Sequence, residues 1–172
     1  MLTIRTVRPD ELDAVWGLVQ RAAARMREQG NPQWDADYPH PSHFAEGIAA
    51  GDLFAICGAE DNILGVAILN TWYEPCYDEL TGWTQSPPAL AIHKMAVDPA
   101  AQRMGVGSAL FSHALSIARG AGLRSVRIDT YTLNTPMRSL IAKFGFRPVG
   151  EVFFPNRPLP YIVYEKNIFP EH

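Results

Sequence analysis

The chain has 172 residues, 47% of them hydrophobic and 19% charged, with a formal net charge of −3. Such a length suits one domain spanning 1–172 with a real hydrophobic core, and the composition excludes a disordered or low-complexity chain. The sequence pI near 5.9 gives no basic footprint for nucleic acid.

No run approaches the roughly 20 apolar residues of a membrane span, so no membrane partner is expected. The start, Met1-Leu2-Thr3-Ile4-Arg5, lacks the long apolar core of a secretory signal. Cys57 and Cys76 stand too far apart for a metal or redox pair, and a reduced, cytoplasmic setting is expected.

In chain order, Leu2, Ile4 and Thr6 alternate with Thr3, Arg5 and Val7, which predicts a strand. Pro9-Asp10 opens a helix, with Leu12, Val15, Trp16, Val19, Ala22, Ala23 and Met26 at helical spacing, and Gly30-Asn31-Pro32 stops it. Gln33 to His40 is a loop of aromatics and acids. Ser42 is the expected cap of a second helix ending at Gly51.

Leu53 to Ala59 and Ile63 to Thr71 predict a hairpin across Glu60-Asp61-Asn62. Trp72 to Pro88 is a connection long enough to be functional or to cover something. A strand from Leu90, a helix to Ala118, a strand over Ser125 to Tyr131 and a helix from Thr135-Pro136 to Phe144 follow. Phe146 to Phe153 and Tyr161 to Lys166 are the last strands, giving the order β-α-α-β-β-β-α-β-α-β-β of a mixed α/β domain.

The chain is organised around Leu90 to Gly120, a strand, a short loop and a glycine-flanked helix start. That junction offers unpaired backbone N–H groups and the positive end of a helix dipole, a place to hold a phosphate chain. A P-loop is excluded because Gly107 is followed by Ser108-Ala109 rather than lysine. A dinucleotide fingerprint is excluded because Leu110 stands where its third glycine belongs.

Gln102-Arg103-Met104-Gly105-Val106-Gly107 matches Gln/Arg-x-x-Gly-x-Gly/Ala in full. In this position the stretch resembles the GCN5-related N-acetyltransferase (GNAT) family. Ile92 to Val97 followed by Asp98-Pro99 looks like that family's fourth strand. Asn134, Leu140, Lys143, Gly145 and Phe146 look like its second conserved block. The resemblance runs from Leu2 to Lys166.

It implies a GNAT fold: a mixed, mostly antiparallel sheet of about seven strands flanked by about four helices. It also implies acetyl-CoA as acyl donor, no metal, and transfer to a primary amine by direct attack in a ternary complex. The alternative is a coenzyme A-binding regulatory module with little catalysis.

Gly105 and Gly107 let a pyrophosphate approach the backbone closely. Gln102, Arg103, Met104, Gly105, Val106, Gly107 and Ser108 are therefore the expected cradle. By resemblance, the pantetheine arm lies along the strand beside Met95, Ala96 and Val97, Asn134 bonds the arm, and Lys143 belongs to the same block. Asn134 can equally be a helix cap before Thr135-Pro136.

Attack on a thioester needs a neutral amine, a stabilised carbonyl oxygen and a thiolate that gains a proton. The family's general acid is a tyrosine in Asn-x-x-x-x-x-Leu-Tyr-x-Lys-x-Gly-Phe. Here Leu140 is followed by Ile141, which cannot donate. Tyr131 or Tyr161 can substitute from elsewhere or pack as core or rim aromatics, and water can serve, since a thiol of pKa about 8.5 leaves readily.

His93 is the candidate base, or else a structural histidine. Alternation puts it on one face with Met95 and Val97. On the acceptor side, Trp34 and Tyr38, with Asp35 and Asp37, suit a cationic small-molecule or peptide amine, or simply lid the core. Arg157 can bind a carboxylate or sit in solvent. Tyr73, Tyr77 and Trp83 of the long connection either line the pocket or make a homodimer contact. His40-x-x-His43 lacks the further ligands of a metal site.

Overall fold

A computed structural model describes residues 1–169. The opening alternation forms β1 (Thr3–Thr6), which pairs antiparallel with β2 (Leu53–Cys57) from Thr3↔Cys57 to Thr6↔Phe54. α1 (Leu12–Glu28) buries Val15, Leu18, Val19, Ala22 and Ala23, a stripe at three- and four-residue spacing. α2 (Pro41–Ala50) starts one residue before the expected Ser42 cap. Pro41 takes the first helical position, where its missing N–H costs nothing, and Gly51 closes the helix at φ 73°.

The remaining elements are β3 (Ile63–Asn70), β4 (Leu90–Val97), α3 (Val106–Gly120), β5 (Ser125–Tyr131), α4 (Thr135–Lys143), β6 (Arg147–Val152) and β7 (Tyr161–Asn167). Among the described residues the seven strands run in the order β1-β2-β3-β4-β5-β7-β6, with four α-helices. β2 pairs β3 antiparallel, as β7 pairs both β5 and β6. β4 pairs β5 in parallel at Leu90↔Val126 and Ala91↔Arg127. The expected mixed, mostly antiparallel sheet is therefore present.

Two compact units divide the chain within β4 and within α3. The first comprises Met1–Leu69 and His93–Ser112, the second Asn70–Ile92 and the chain from His113 onward. The first unit's interior is apolar: Val15, Leu18, Val19, Phe44, Leu53, Ala55, Cys57, Val66 and Ala96 pack in one cluster. Gly65 on β3 lets α3 approach. A Cβ there would lie 2.5 Å from Val106 Cγ1 and 3.2 Å from the Ala96 carbonyl oxygen.

The second unit's interior is of another kind. Tyr77, Tyr131, Val152, Tyr161 and Val163 form its apolar cluster. Arg127 and Glu165 are also enclosed, at 1% and 0% exposure. The Arg127 guanidinium carbon lies 3.8 Å from the Trp83 ring centroid and 4.9 Å from that of Tyr73. Its Nη2 donates to the Gln85 carbonyl at 3.2 Å.

Glu165 accepts from Thr84 N (3.0 Å), Thr84 Oγ1 (2.6 Å), Gln85 N (3.3 Å) and Arg147 Nη2 (2.6 Å). Burial pushes its carboxyl up, and these donors outweigh that and leave it below the ordinary value. The Tyr77 hydroxyl donates to Asp129 Oδ2. Tyr73, Tyr77 and Trp83 of the long connection are thus packed on the second unit, while Trp72 is exposed.

Candidate active site

Within the first unit, β4 ends at Val97, and Asp98 organises the turn that follows. Its Oδ1 accepts from Ala100 N at 3.0 Å, its Oδ2 from Arg21 Nη2 at 2.7 Å, and its own amide donates to the Leu64 carbonyl at 2.8 Å. Pro99–Ala101 makes one 3-10 turn. Arg103 (φ 68°) and Gly105 (φ 80°) then take left-handed backbone, and α3 begins at Val106.

Left-handed residues beside right-handed ones turn neighbouring N–H groups toward one side, making an anion-binding concavity. Ala109 N donates to the Gly105 carbonyl at 2.9 Å, so the amides of Val106 and Gly107 precede the intrahelical ladder. Apart from its own chain neighbours, nothing lies within 4 Å of where a Cβ would stand on Gly105, so the space above it is open. Met104 is exposed beside it, while the Val106 side chain is buried and offers only backbone.

On β4, His93, Met95 and Val97 are half-buried and Ala96 lies in the apolar cluster. Lys94 holds φ 47° in mid-strand. Such backbone costs a non-glycine residue on the order of 1–3 kcal/mol and persists only where its surroundings enforce it. It interrupts the regular pleat expected through His93, Met95 and Val97.

In the first helix–helix loop, Trp34 takes the second of its two expected roles and lids the core. Trp34 is 5% exposed, inside the apolar cluster, because its ring completes the core under α1 and α2 rather than walling a pocket. Asp35 Oδ1 accepts the amides of Asp37 (2.8 Å) and Tyr38 (3.0 Å), which folds the loop. The Tyr38 ring carries Lys94 Nζ at 5.5 Å from its centroid. Spacing alone missed Lys94, since nothing in a lysine signals positive φ.

In the second unit, Asn134 Oδ1 caps α4 by accepting Met137 N at 3.3 Å, and Lys143 is exposed at the helix's last residue. Ile141 is fully buried, so that position is filled by core packing. Tyr131 is also fully buried; its hydroxyl accepts the Leu159 amide at 3.2 Å and its ring centroid lies 5.1 Å from that of Tyr161. Tyr131 is thus enclosed, as its alternative as a core aromatic describes. Arg157 Nη1 donates to the Asn156 carbonyl at 3.1 Å.

The acetyltransferase (GNAT) family profile matches residues 18–146. The chain belongs to that family. Mycothiol acetyltransferase of Beutenbergia cavernae is 33% identical to it over 93 residues, a match covering 46% of this chain and 31% of that relative. The chain thus spans only about a third of that relative's length.

A GNAT acetyltransferase from Streptococcus agalactiae shares the fold, with TM-score 0.82, 22% identity, and 96% of this chain and 95% of that one covered. So does a Salmonella typhimurium protein solved with its cofactor acetyl-CoA (TM-score 0.69, 16% identity, 99% and 95% covered). Acetyltransferases of this family draw on acetyl-CoA, and the open backbone cradle from Arg103 to Gly107 fits its pyrophosphate. Among the described residues no helix is long and apolar enough to cross a membrane, and no group of His, Cys, Asp or Glu is placed to hold a metal.

Proposed function

We propose that this chain transfers the acetyl group of acetyl-CoA to a primary amine by direct attack in a ternary complex. The observation that carries the reading is the left-handed pair Arg103 and Gly105 at the start of α3, with open space over Gly105. Gln102 to Ser108 then hold the pyrophosphate through backbone N–H groups and the helix N-terminus. The backbone of Met95 and Val97 lies along the pantetheine arm, and an amide of this strand polarises the thioester carbonyl. On resemblance alone, Asn134 and Lys143 join the donor-binding residues.

His93 is the proposed base, taking the amine's proton directly or through water. No tyrosine hydroxyl is assigned to the leaving thiolate, which departs as a weakly basic anion and takes its proton from water.

Calorimetry with acetyl-CoA, followed by thiol release against an amine panel, tests the reading. Binding with acetylated product is the expected result. Binding without turnover on any amine favours the regulatory module instead. His93→Ala is expected to lower kcat roughly 10²- to 10⁴-fold without raising the acetyl-CoA KM. An unchanged pH–rate profile in that variant removes His93 from the proton transfer.

A further inference from the structure

The second unit carries a groove that acetyl transfer leaves unused. It lies between α4 and the strands β6 and β7, with a volume of about 760 Å³. Thr135, Arg138, Ser139 and Ala142 form its helix wall, at the three- and four-residue spacing of one helix face. Glu151, Ile162 and Tyr164 face the same space from the strands. Every one of these residues belongs to the second unit.

The two sides of the groove carry opposite charges. Arg138 Nη1 donates to the Thr132 carbonyl at 3.2 Å, which holds the guanidinium in place while its fork has further N–H groups to give. Glu151 is exposed, and among the described residues its side chain makes no hydrogen bond or ion pair. Exposed apolar side chains continue the groove at one end. Tyr131↔Tyr161 and Val152↔Tyr161 put the start of α4 and the end of β6 at the same end of the sheet. There Leu133, two residues before Thr135, is 42% exposed, and Phe153, two residues after Glu151, is 68% exposed.

These features select the occupant. A small-molecule pocket encloses most of its ligand. Here the four residues of the helix wall and Glu151 are all exposed, so a small molecule would keep much of its surface in water. An added strand fits no better: β6 is an edge strand, but Pro148 has no N–H to offer and the register shifts between Pro148 and Gly150. A broad surface with an exposed aromatic and charges at its rim suits another protein. With Arg138 on one side and Glu151 on the other, that surface is complementary to its own two-fold mate.

We propose that this groove is the interface of a homodimer. A second copy of the chain seats its own α4–β6 surface here by two-fold symmetry, with Arg138 of each copy against Glu151 of the other and Phe153 covered by the contact. The proposal stands independently of acetyl transfer.

Sedimentation equilibrium of the full chain over a wide concentration range tests it. Wild type is expected to reach twice the chain mass. Glu151→Arg sets like charges against each other twice per interface and is expected to raise the dimer Kd at least roughly 10-fold. Phe153→Ser is expected to raise it by a similar factor. Both side chains are exposed, so circular dichroism should show the monomer fold intact in each variant. Arg138→Glu combined with Glu151→Arg restores opposite charges and is expected to recover most of the loss. Moderate salt should weaken the wild-type dimer and strengthen that of Glu151→Arg, because it screens attraction in one and repulsion in the other.

A monomer at every concentration overturns the proposal and leaves the groove to another protein or a small ligand. A dimer whose Kd is unchanged by Glu151→Arg overturns it as well, because the interface then lies elsewhere. So does a folded double variant with no recovery, or the same salt response in wild type and Glu151→Arg.

Discussion

The two units solve the interior differently. The first is filled by aliphatic and aromatic side chains, from Val15 and Leu18 to Phe44 and Val66. Such packing is non-directional, and its contribution follows the area buried. The second encloses Arg127, Glu165, Ser125 and Thr130 along with its apolar cluster. Glu165 accepts four hydrogen bonds there and Arg127 Nη2 donates to the Gln85 carbonyl, so this interior depends on direction as well as on area, while Ser125 Oγ, Thr130 Oγ1 and Arg127 Nε are enclosed without a partner.

The difference explains how the connection between β3 and β4 is ordered without a strand or long helix. Its backbone groups bond to side chains of the surrounding strands: Thr84 N and Gln85 N to Glu165, the Gln85 carbonyl to Arg127, the Gly82 carbonyl to Arg147. A loop's polar backbone is thus accounted for inside the protein.

Substitutions at two positions bear directly on this contrast. Phe44 is fully buried, and Phe44→Ala is expected to cost about 3–5 kcal/mol, with Phe44→Leu costing far less because most of the volume is kept. In the second unit, volume should matter less than charge. Glu165→Gln is nearly isosteric, yet it removes the charge that Arg147 and the Thr84 and Gln85 amides point at, and about 2–3 kcal/mol is expected. Denaturant unfolding of the three variants reads both. A Glu165→Gln cost below that of Phe44→Leu breaks the contrast.

What was legible in the sequence follows the same line. The helical stripe of α1 and the glycine motif before α3 are local patterns, and both were readable because the physics behind them spans only a few residues. Arg127 was not. It alternates with apolar neighbours on β5 as a solvent-facing residue would, and it is buried only because Trp83 and Tyr73, far along the chain, cover it. Trp34 shows the converse: its loop is polar and leaves both a pocket wall and a core lid open, and only the folded chain puts the ring in the core. The left-handed turn at Lys94 has no sequence mark at all. The strand expected from Leu53 to Ala59 ends at Cys57, because Gly58 opens a turn in which Glu60 and Asp61 take φ 59° and 61°.

The smallest expected effect lies on the surface of the first unit, where charges are many but not enclosed. Arg5 bonds Glu11 at 2.8 Å and Asp61 at 2.9 Å, and Arg8 bonds Asp61 at 2.7 Å. The Arg5 hydrogen bonds, helped by the Arg8 amide and opposed by burial, hold the Glu11 carboxyl at about 2, below its ordinary 4.5. Between those two values the unfolded chain binds more protons than the folded one. The pair's contribution is therefore fully present above about pH 4.5 and is lost as pH falls through about 2.

Solvent and salt screen such a pair, so Glu11→Gln is expected to cost under about 1 kcal/mol at neutral pH. Its Tm deficit against wild type should shrink steadily below pH 4.5 and vanish near pH 2. Added salt should shrink it at any pH. A deficit as large as that of Glu165→Gln, or one that stays constant from pH 7 to pH 3, means that enclosure is not what separates the two sets of charges.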